Sequence, residues 1–370
     1  MAESNAAPRD FIPVAEPEIG EKEKEYVRDC LDSTWISSLG KYISQFEGGF
    51  ARFSGAKYGV AVCNGTVALH LALKALGIGP GDEVIVPDLT FVATPNAVAY
   101  TGAAPVLVDS DDKTWNIDPK KLEKKITRRT KAIIPVHLYG HPCDMDEVMG
   151  IANKHKLFVI EDAAEAHGAE YKGKKVGSFG NVACFSFYGN KIITTGEGGM
   201  CVTNDERLAE RMAFLKDHAM DYSNKYYHPE TGFNYRMTNV QAAIGLGQLE
   251  RIDEIIRKKI ANARLYNELL SSVKGITTPP AAEWAKNVYW MYSILVEDDY
   301  GMSRAELAAK LKKNNIDSRP FFYPMHTLPM YKTSEKFPVA TELARKGLNL
   351  PSSTKLTEED IRRICKVVKS

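Results

Sequence analysis

The sequence predicts an α/β fold, with a mostly parallel β-sheet covered by helices in a large domain and a smaller α+β domain after it. Short β-branched runs alternate with helical stretches between about residues 58 and 203. Strands separated by helices are typical of parallel sheets that are buried on both faces. The chain has 370 residues, enough for a large domain and a smaller one.

The large domain is expected to contain seven strands, with helices over 65–77 and 145–155 between two pairs of them. Ligands of such sheets collect at the loops that leave the carboxyl ends of the strands. The predicted strands are the β-branched runs at 58–63, 83–87, 104–109, 131–136, 157–162, 182–187 and 199–203.

The second half of the chain predicts one long amphipathic helix after Asn239, over about 241–273, and then a linker rich in proline and alanine at 277–287. The domains are therefore predicted as an N-terminal segment 1–20, a large domain 21–255 and a small domain 256–370. The small domain is expected to hold a strand at 288–296, helices at 304–314 and 357–368, and a turn-rich segment at 320–329.

Composition excludes several classes of function. The formal net charge of +1 gives no overall field to hold nucleic acid or an anionic membrane. No apolar run approaches the roughly 18 residues of a membrane helix, and the first residues do not resemble a signal peptide. The six cysteines form no CxxC pair, which is typical of free thiols in a reducing compartment. We therefore predict a cytoplasmic protein.

Three short motifs at strand ends carry candidate chemistry. In CNGT, Gly65 permits a tight turn, and Thr66 is expected to cap a helix that begins near Val67, whose N-terminus would bind a phosphate group. Taken alone, an ordinary capped turn explains CNGT better. In VIEDAAEAHG, Glu161 or Asp162 ends an apolar strand, where a carboxylate either bonds a cationic ring nitrogen or caps a helix.

The third motif, FSFYGNKIITTGEGG, places Lys191 between an apolar run and several glycines, five residues after Ser186. A partly buried lysine has a lowered pKa and can form a Schiff base with an aldehyde. A phosphate cup, a carboxylate and a lysine, each at a strand end, together match what pyridoxal 5′-phosphate (PLP) requires.

The segment VHLYGHPCD spaces His137 and His141 like a metal-binding pair on a helix. Gly140 and Pro142 interrupt a helix there, so the two rings are not expected to share a face. No metal site is predicted.

These motifs, together with NYRMTNVQAAIGLGQLE and SRPFFYPMHTLPMY, resemble the DegT/DnrJ/EryC1/StrS family of sugar aminotransferases over nearly the whole chain. The resemblance implies PLP-dependent fold type I, the aspartate aminotransferase-like fold, with a mixed sheet in the large domain. It also implies a homodimer, possibly assembled further into a tetramer, with active sites shared between subunits.

The family's cofactor roles carry over by this resemblance. Lys191 would bond the cofactor and carry protons, and Asp162 would pair with the ring nitrogen. Glu165 would lie near the ring hydroxyl, and Phe91 would stack on the ring. The phosphate would be bound by Gly65, Thr66 and Ser186, and by Asn239 of the neighbouring subunit.

Substrate residues are expected among five further positions. Trp35 is a candidate for stacking on the sugar or base, Arg236 and Arg319 for the diphosphate, and Tyr323 and His326 for the sugar near C4. Each also has an ordinary structural explanation: a core tryptophan, arginines in ion pairs, or a histidine satisfied by its turn.

The reaction implied is transfer of the amino group of L-glutamate to C4 of GDP-4-keto-6-deoxy-D-mannose, with 2-oxoglutarate as co-product, for a bacterial surface polysaccharide such as O-antigen of lipopolysaccharide. Alternatives are the same transfer on a UDP- or dTDP-linked sugar or at C3, a PLP-dependent sugar dehydratase, and a ligand-binding relative without activity. Lys191 disfavours the dehydratase, because relatives of that type replace the lysine by histidine.

Overall fold

A computed structural model describes residues 10–370, and the first nine residues of the predicted N-terminal segment lie outside the described part of the chain. The helices are α1 Glu21–Asp32, α2 Lys41–Phe53, α3 Gly65–Ala75, α4 Ala93–Tyr100, α5 Pro119–Leu122, α6 Met145–His155, α7 Glu206–Lys216, α8 Asn239–Glu250, α9 Ile252–Leu270, α10 Arg304–Lys313, α11 Pro338–Lys346 and α12 Glu358–Lys369. The strands are β1 Tyr58–Val62, β2 Glu83–Pro87, β3 Ala104–Val108, β4 Thr130–Ile133, β5 Phe158–Asp162, β6 Glu170–Tyr171, β7 Lys174–Lys175, β8 Val182–Ser186, β9 Gly199–Thr203, β10 Ile276–Thr277, β11 Ala285–Lys286, β12 Tyr292–Val296, β13 Arg319–Pro320 and β14 Gly347–Leu350.

The large domain is built on a seven-stranded sheet in the order β1-β9-β8-β5-β4-β2-β3. All its neighbouring pairs are parallel except the two that involve β9, so β9 alone runs against the others. Strands β2, β8 and β9 are buried along their whole length, as expected for a sheet covered on both faces. The predicted mostly parallel mixed sheet is confirmed.

Two of the predicted strands are shorter in the structure, for reasons in the backbone. In the run at 131–136 the regular strand ends at Ile133, because Pro135 has no N–H to donate, and Val136 stays beside β5 only through an isolated bridge to Asp162. The run at 288–296 enters its sheet only at Tyr292, because Tyr289 has a left-handed conformation with φ of 48° that bends the chain.

The single long helix predicted over about 241–273 is wrong: it is two helices, α8 and α9. The chain leaves helical geometry at Arg251, with φ −118° and ψ 13°, and the Arg251 guanidinium contacts Glu18 at 2.6 Å. Helix α8 packs so closely on α1 that a Cβ at Gly247 would lie 2.8 Å from the backbone nitrogen of Glu23. The break lets α8 follow the large domain while α9 leads towards the small one.

The small domain has a four-stranded antiparallel sheet in the order β10-β12-β14-β13. Its apolar core includes Ala263, Tyr266 and Leu270 of α9, whereas Ile252 and Ile256 at the start of that helix belong to the core of the large domain. The two cores therefore meet within α9. The boundaries 21–255 and 256–370 stay a prediction.

Within residues 10–370, no helix has the length and apolar composition needed to cross a membrane.

Candidate active site

The carboxyl ends of the parallel strands bring the three predicted motifs to one edge of the large sheet. Asp162 is the last residue of β5, and Ser186 is the last residue of the neighbouring β8. Lys191 follows β8 in a turn whose backbone closes by a bond from Lys191 N–H to the carbonyl of Tyr188. Gly65 begins α3 after β1. Loops far apart in the sequence thus form one site.

Lys191 is largely buried, with 12% of its side chain exposed. Its amine lies 3.8 Å from a carboxylate oxygen of Glu165 and 3.8 Å from the ring centroid of Trp290. Burial lowers the pKa of Lys191 from its ordinary value, and the nearby carboxylates of Glu165 and Asp162 only partly offset that effect. A lowered pKa increases the fraction of the neutral, nucleophilic amine at any given pH.

Asp162 is a buried carboxylate, 5% exposed. Its Oδ2 accepts a hydrogen bond from the Thr94 hydroxyl at 2.7 Å, and its Oδ1 accepts one from the Ala164 backbone N–H at 3.2 Å. Burial raises the pKa of Asp162, although these bonds act in the opposite direction. A cationic group beside Oδ1 or Oδ2 would stabilise the ionised form, and no ion pair of Asp162 is seen among the described residues.

Glu165, also buried, is oriented by the Tyr139 backbone N–H, which donates to its Oε2 at 2.8 Å. Burial raises the pKa of Glu165 to about 7, and the neighbouring Lys191 moderates that rise. The carboxyl group therefore exists in both protonation states near neutral pH, and can donate or accept a hydrogen bond.

A backbone cradle lies at the start of α3, but its cap is not the predicted one. Asn64 is the N-cap, since its Oδ1 accepts a hydrogen bond from the Val67 N–H at 3.0 Å, and the helix begins at Gly65. The cap assigned to Thr66 is therefore wrong, because Thr66 is already inside the helix. The N–H groups of Gly65 and Thr66, in the first turn, have no acceptor within the helix.

The second wall of this cradle is Ser186. A Cβ placed on Gly65 would lie 2.7 Å from the Ser186 Cβ and 3.1 Å from its hydroxyl oxygen. Only glycine therefore fits at position 65, and the hydroxyl of Ser186 lies beside two free backbone N–H groups at a helix N-terminus. That combination suits an anion such as a phosphate group.

Glu161, the other carboxylate considered at this strand end, is occupied elsewhere. It accepts hydrogen bonds from the backbone N–H groups of Gly177, Phe179 and Gly180 at 2.7 to 2.8 Å. Its Oε2 also lies 3.2 Å from the Nε2 of His137. Glu161 therefore stabilises the loop before β8, and Asp162 is the carboxylate of this pair that lies in the candidate active site.

The two histidines spaced like a metal pair have separate partners. His137 accepts from the Cys143 N–H at Nδ1 and contacts Glu161 through Nε2. The Nδ1 of His141 lies 2.8 Å from the carbonyl oxygen of Pro142. In the part of the chain that the structure describes, no three His, Cys, Asp or Glu side chains are arranged to hold a metal ion.

An open cleft of about 1000 Å³ is lined by residues of both domains, among them Asn190, which precedes Lys191. Its lining includes the predicted residues Phe91, Arg319 and Tyr323. Phe91 is 53% exposed and lies 5.5 Å from Phe322, ring centroid to ring centroid. The cleft is open to solvent.

The other substrate candidates are placed differently. Trp35 is 57% exposed and does not line the cleft, so within this chain it is not a core residue. Arg236 forms an ion pair with Asp217. The Nδ1 of His326 lies 2.7 Å from the Asp88 Oδ2, and its backbone N–H donates to the Asp88 Oδ1 at 2.8 Å. His326 is absent from the cleft lining.

Asn239, predicted to reach a neighbouring subunit's phosphate, is 2% exposed. Its Oδ1 accepts from the Tyr42 N–H at 3.0 Å and its Nδ2 donates to the Trp35 carbonyl at 2.7 Å. A side chain at Gly40, where φ is 151°, would collide with Asn239. Within the chain, Asn239 therefore shapes the segment that carries Trp35, and its contact with a second subunit stays a prediction.

Three side chains of the site were missing from the sequence-based expectations. Thr94 donates to Asp162, Trp290 covers Lys191, and Asp88 fixes His326. Asp88 directly follows β2 and could have been found by the rule that strand ends carry sites. Thr94 and Trp290 carry no local signal, because their partners are distant in the sequence.

The sheet order, the lysine at its carboxyl edge and the buried carboxylates beside it define a class: fold type I, the aspartate aminotransferase-like fold. Spr1654, a Streptococcus pneumoniae protein solved in its PLP form, superposes with a TM-score of 0.91 and 29% identity, over 97% of this chain and 98% of that chain. The model of the DegT/DnrJ/EryC1/StrS aminotransferase family matches residues 17–369. The chain belongs to this family of aminotransferases, as the motifs indicated.

Two curated relatives cover nearly the whole chain. GDP-perosamine synthase of Caulobacter vibrioides is 51% identical over 356 residues, which are 95% of this chain and 96% of the relative. GDP-perosamine synthase of Escherichia coli O157:H7 is 50% identical over 359 residues, which are 97% of this chain and 98% of the relative.

Proposed function

We propose that this chain is a PLP-dependent aminotransferase that transfers the amino group of L-glutamate to C4 of GDP-4-keto-6-deoxy-D-mannose. The products are GDP-perosamine and 2-oxoglutarate. The observation that carries the proposal is the buried group formed by Lys191, Glu165 and Asp162 at the edge of the sheet. The choice of sugar rests on the 51% and 50% identity to two GDP-perosamine synthases over almost their full length.

The residues present fit PLP at both of its charged ends. The cradle of Gly65, Thr66 and Ser186 would hold the phosphate, because the glycine lets the N-terminus of α3 approach the Ser186 hydroxyl closely. Burial raises the pKa of the Asp162 carboxylate, and a protonated ring nitrogen beside it would favour its ionised form. When bound, PLP would supply an aldehyde that carries the amino group and a ring that delocalises negative charge.

Lys191 is assigned two tasks: it bonds the cofactor at rest, and it carries protons when it is released. Its neutral amine accepts a proton from the α-carbon of glutamate, and in the second half-reaction it returns a proton to C4 of the sugar. The long flexible stem of lysine suits both tasks. Two half-reactions that alternate in this way give ping-pong kinetics.

The remaining cofactor residues would orient the ring. Asp162 would keep the ring nitrogen protonated, Thr94 holds the Asp162 carboxylate in place, and Glu165 would lie near the ring hydroxyl. Phe91 lines the open cleft, and we assign it to the ring face.

The nucleotide sugar is assigned to the open cleft, where Arg319 and Tyr323 are exposed to meet a diphosphate and a sugar hydroxyl. We assign Trp35, Arg236 and Asn239 to the interface of a homodimer with shared active sites, with a tetramer of two such dimers as the alternative assembly. In this chain all three lie outside the cleft lining. His326 is assigned a supporting role, because Asp88 engages its ring. We propose that the enzyme is cytoplasmic and that its amino sugar is incorporated into O-antigen.

The test is a product assay by mass spectrometry, with purified protein, L-glutamate and separately GDP-, UDP- and dTDP-linked 4-keto-6-deoxy sugars. We expect a 4-amino sugar from the GDP-linked substrate, with 2-oxoglutarate in equal amount. Faster turnover of a UDP- or dTDP-linked sugar would overturn the substrate and keep the transamination. A deoxygenated sugar without nitrogen would identify a dehydratase, and no product from any substrate would contradict the enzymatic assignment.

A further inference from the structure

Trp290 lies on the segment between β11 and β12, close to the amine of Lys191. It is 5% exposed and precedes β12. Its indole N–H donates to the carbonyl oxygen of Asn190 at 2.7 Å, and its ring centroid lies 3.8 Å from the amine of Lys191. One side chain thus contacts both the backbone just before Lys191 and the reactive atom of Lys191.

The ring of Trp290 is itself fixed. It stacks on Tyr139 with centroids 6.2 Å apart and an angle of 20° between the planes. Tyr139 in turn orients Glu165 through its backbone N–H, and its hydroxyl accepts the backbone N–H of Phe322 at 3.2 Å. Trp290 is therefore part of a rigid wall that also places the carboxylate nearest to the lysine.

The charged groups around the Lys191 amine do not supply a firm counter-ion. Glu165 is the nearest carboxylate, at 3.8 Å, and burial raises its pKa to about 7, so it is only partly ionised at neutral pH. Asp162 acts on the amine from further away. His167 is buried and its pKa is lowered to about 3, so it is neutral. The electron-rich face of an indole ring remains as a partner for an ammonium group.

We propose that Trp290 is a positioning residue for Lys191: its N–H fixes the Asn190 carbonyl, and its ring face holds the protonated amine while that amine is free of the cofactor. This inference rests on the proposed function of Lys191. The consequence is that Lys191 keeps the proton it has taken from a substrate in one defined place, ready for return.

The experiment uses cofactor-free protein and measures how Lys191 is acetylated by acetic anhydride across a pH series, with peptide mass spectrometry as the readout. The variant Trp290→Met loses both the ring face and the N–H, whereas Trp290→Phe keeps a ring face. We expect the pH of half-maximal labelling at Lys191 to fall by about 0.4 to 1.5 units in Trp290→Met. Trp290→Phe should recover part of the shift. The matched control is Trp284→Leu. Trp284 is a half-buried tryptophan that contacts Tyr171 and His141, and its replacement should leave the labelling curve of Lys191 unchanged.

A labelling curve of Trp290→Met that superimposes on that of the unmodified protein would overturn the inference. Circular dichroism checks that each variant folds. If Trp290→Met does not fold, Trp290→Leu takes its place, since it also lacks a ring face and an unchanged curve in that variant would overturn the proposal. Borohydride treatment of PLP-loaded unmodified protein separates the two claims: label absent from Lys191 contradicts the proposed function, whereas the acetylation curves test Trp290 without any cofactor.

Discussion

The inner and outer parts of the site differ in how they are built. The inner part, around Asp162 and Glu165, is 4 to 5% exposed, and its carboxylates are oriented by backbone and hydroxyl donors. At the mouth, Phe91 is 53% and Tyr323 is 73% exposed. Buried groups have shifted pKa values and fixed geometry, which suits a chemical step that needs exact placement of charge. An open cleft lined by adaptable side chains suits a choice between substrates. Substitutions in the two parts test whether the inner part performs the chemistry and the open cleft selects the substrate.

The largest effect is expected from Lys191→Ala. Because the amine is both the anchor and the proton carrier, the rate of transamination should fall at least about 10⁴-fold. The measurement is steady-state turnover together with the absorbance of the protein-bound cofactor, which should also change. Steady-state transamination that persists in this variant would refute the assignment of Lys191.

Asp162→Asn should have the next largest effect. Asparagine keeps the shape and can still accept from Thr94, but it cannot carry the charge that stabilises a protonated ring nitrogen. The value of kcat/KM should fall about 10²- to 10³-fold, the scale of losing one preorganised electrostatic partner. Thr94→Val is the control and should lose less, since Asp162 keeps its bond from Ala164. Equal losses in the two variants would speak against the charge as the cause.

The variant Glu165→Gln tests the electrostatics of the inner part of the site through the pH dependence of the free energy of unfolding. Burial raises the pKa of Glu165 from 4.5 to about 7, so between these values the folded state holds a proton that the unfolded state releases. The contribution of Glu165 to the free energy of unfolding is therefore greatest below pH 4.5. It declines by up to about 3 kcal/mol as the pH rises to about 7. In cofactor-free Glu165→Gln that decline should disappear from urea unfolding curves measured at pH 5 and pH 8. An unchanged pH dependence would contradict the role given to burial.

The smallest effect is expected at the mouth, from His326→Ala. The change removes the side-chain bond to Asp88 that holds the turn carrying Phe322 and Tyr323. The KM for the nucleotide sugar should rise about tenfold, the scale of one hydrogen bond to a charged group. The KM for glutamate should change little, because the small donor needs only the inner part. His326→Asn can still donate to Asp88 and should recover part of the loss. A proportional rise in both KM values would remove the distinction between the two parts.

The inner site was largely predictable from the sequence, and the mouth was not. Asp162, Ser186 and Lys191 lie at or just after strand ends that a β-branched pattern marks clearly, and parallel strands bring such ends together. The cap at Asn64 was misplaced by two residues because both Asn64 and Thr66 are good caps. The roles of Trp290 and of the Asp88–His326 pair depend on how the small domain packs on the large one, and no local pattern encodes that packing.

The most direct test of the account is the identity of the residue that bonds PLP. PLP-loaded protein is reduced with borohydride, digested and mapped by mass spectrometry. Lys259 is the informative competitor, because it is a second buried amine whose burial lowers its pKa to about 7, and it donates to the Ser352 carbonyl at 2.7 Å. We expect one stoichiometric label on Lys191. A label on Lys259 or on another amine, with Lys191 unmodified, would contradict it.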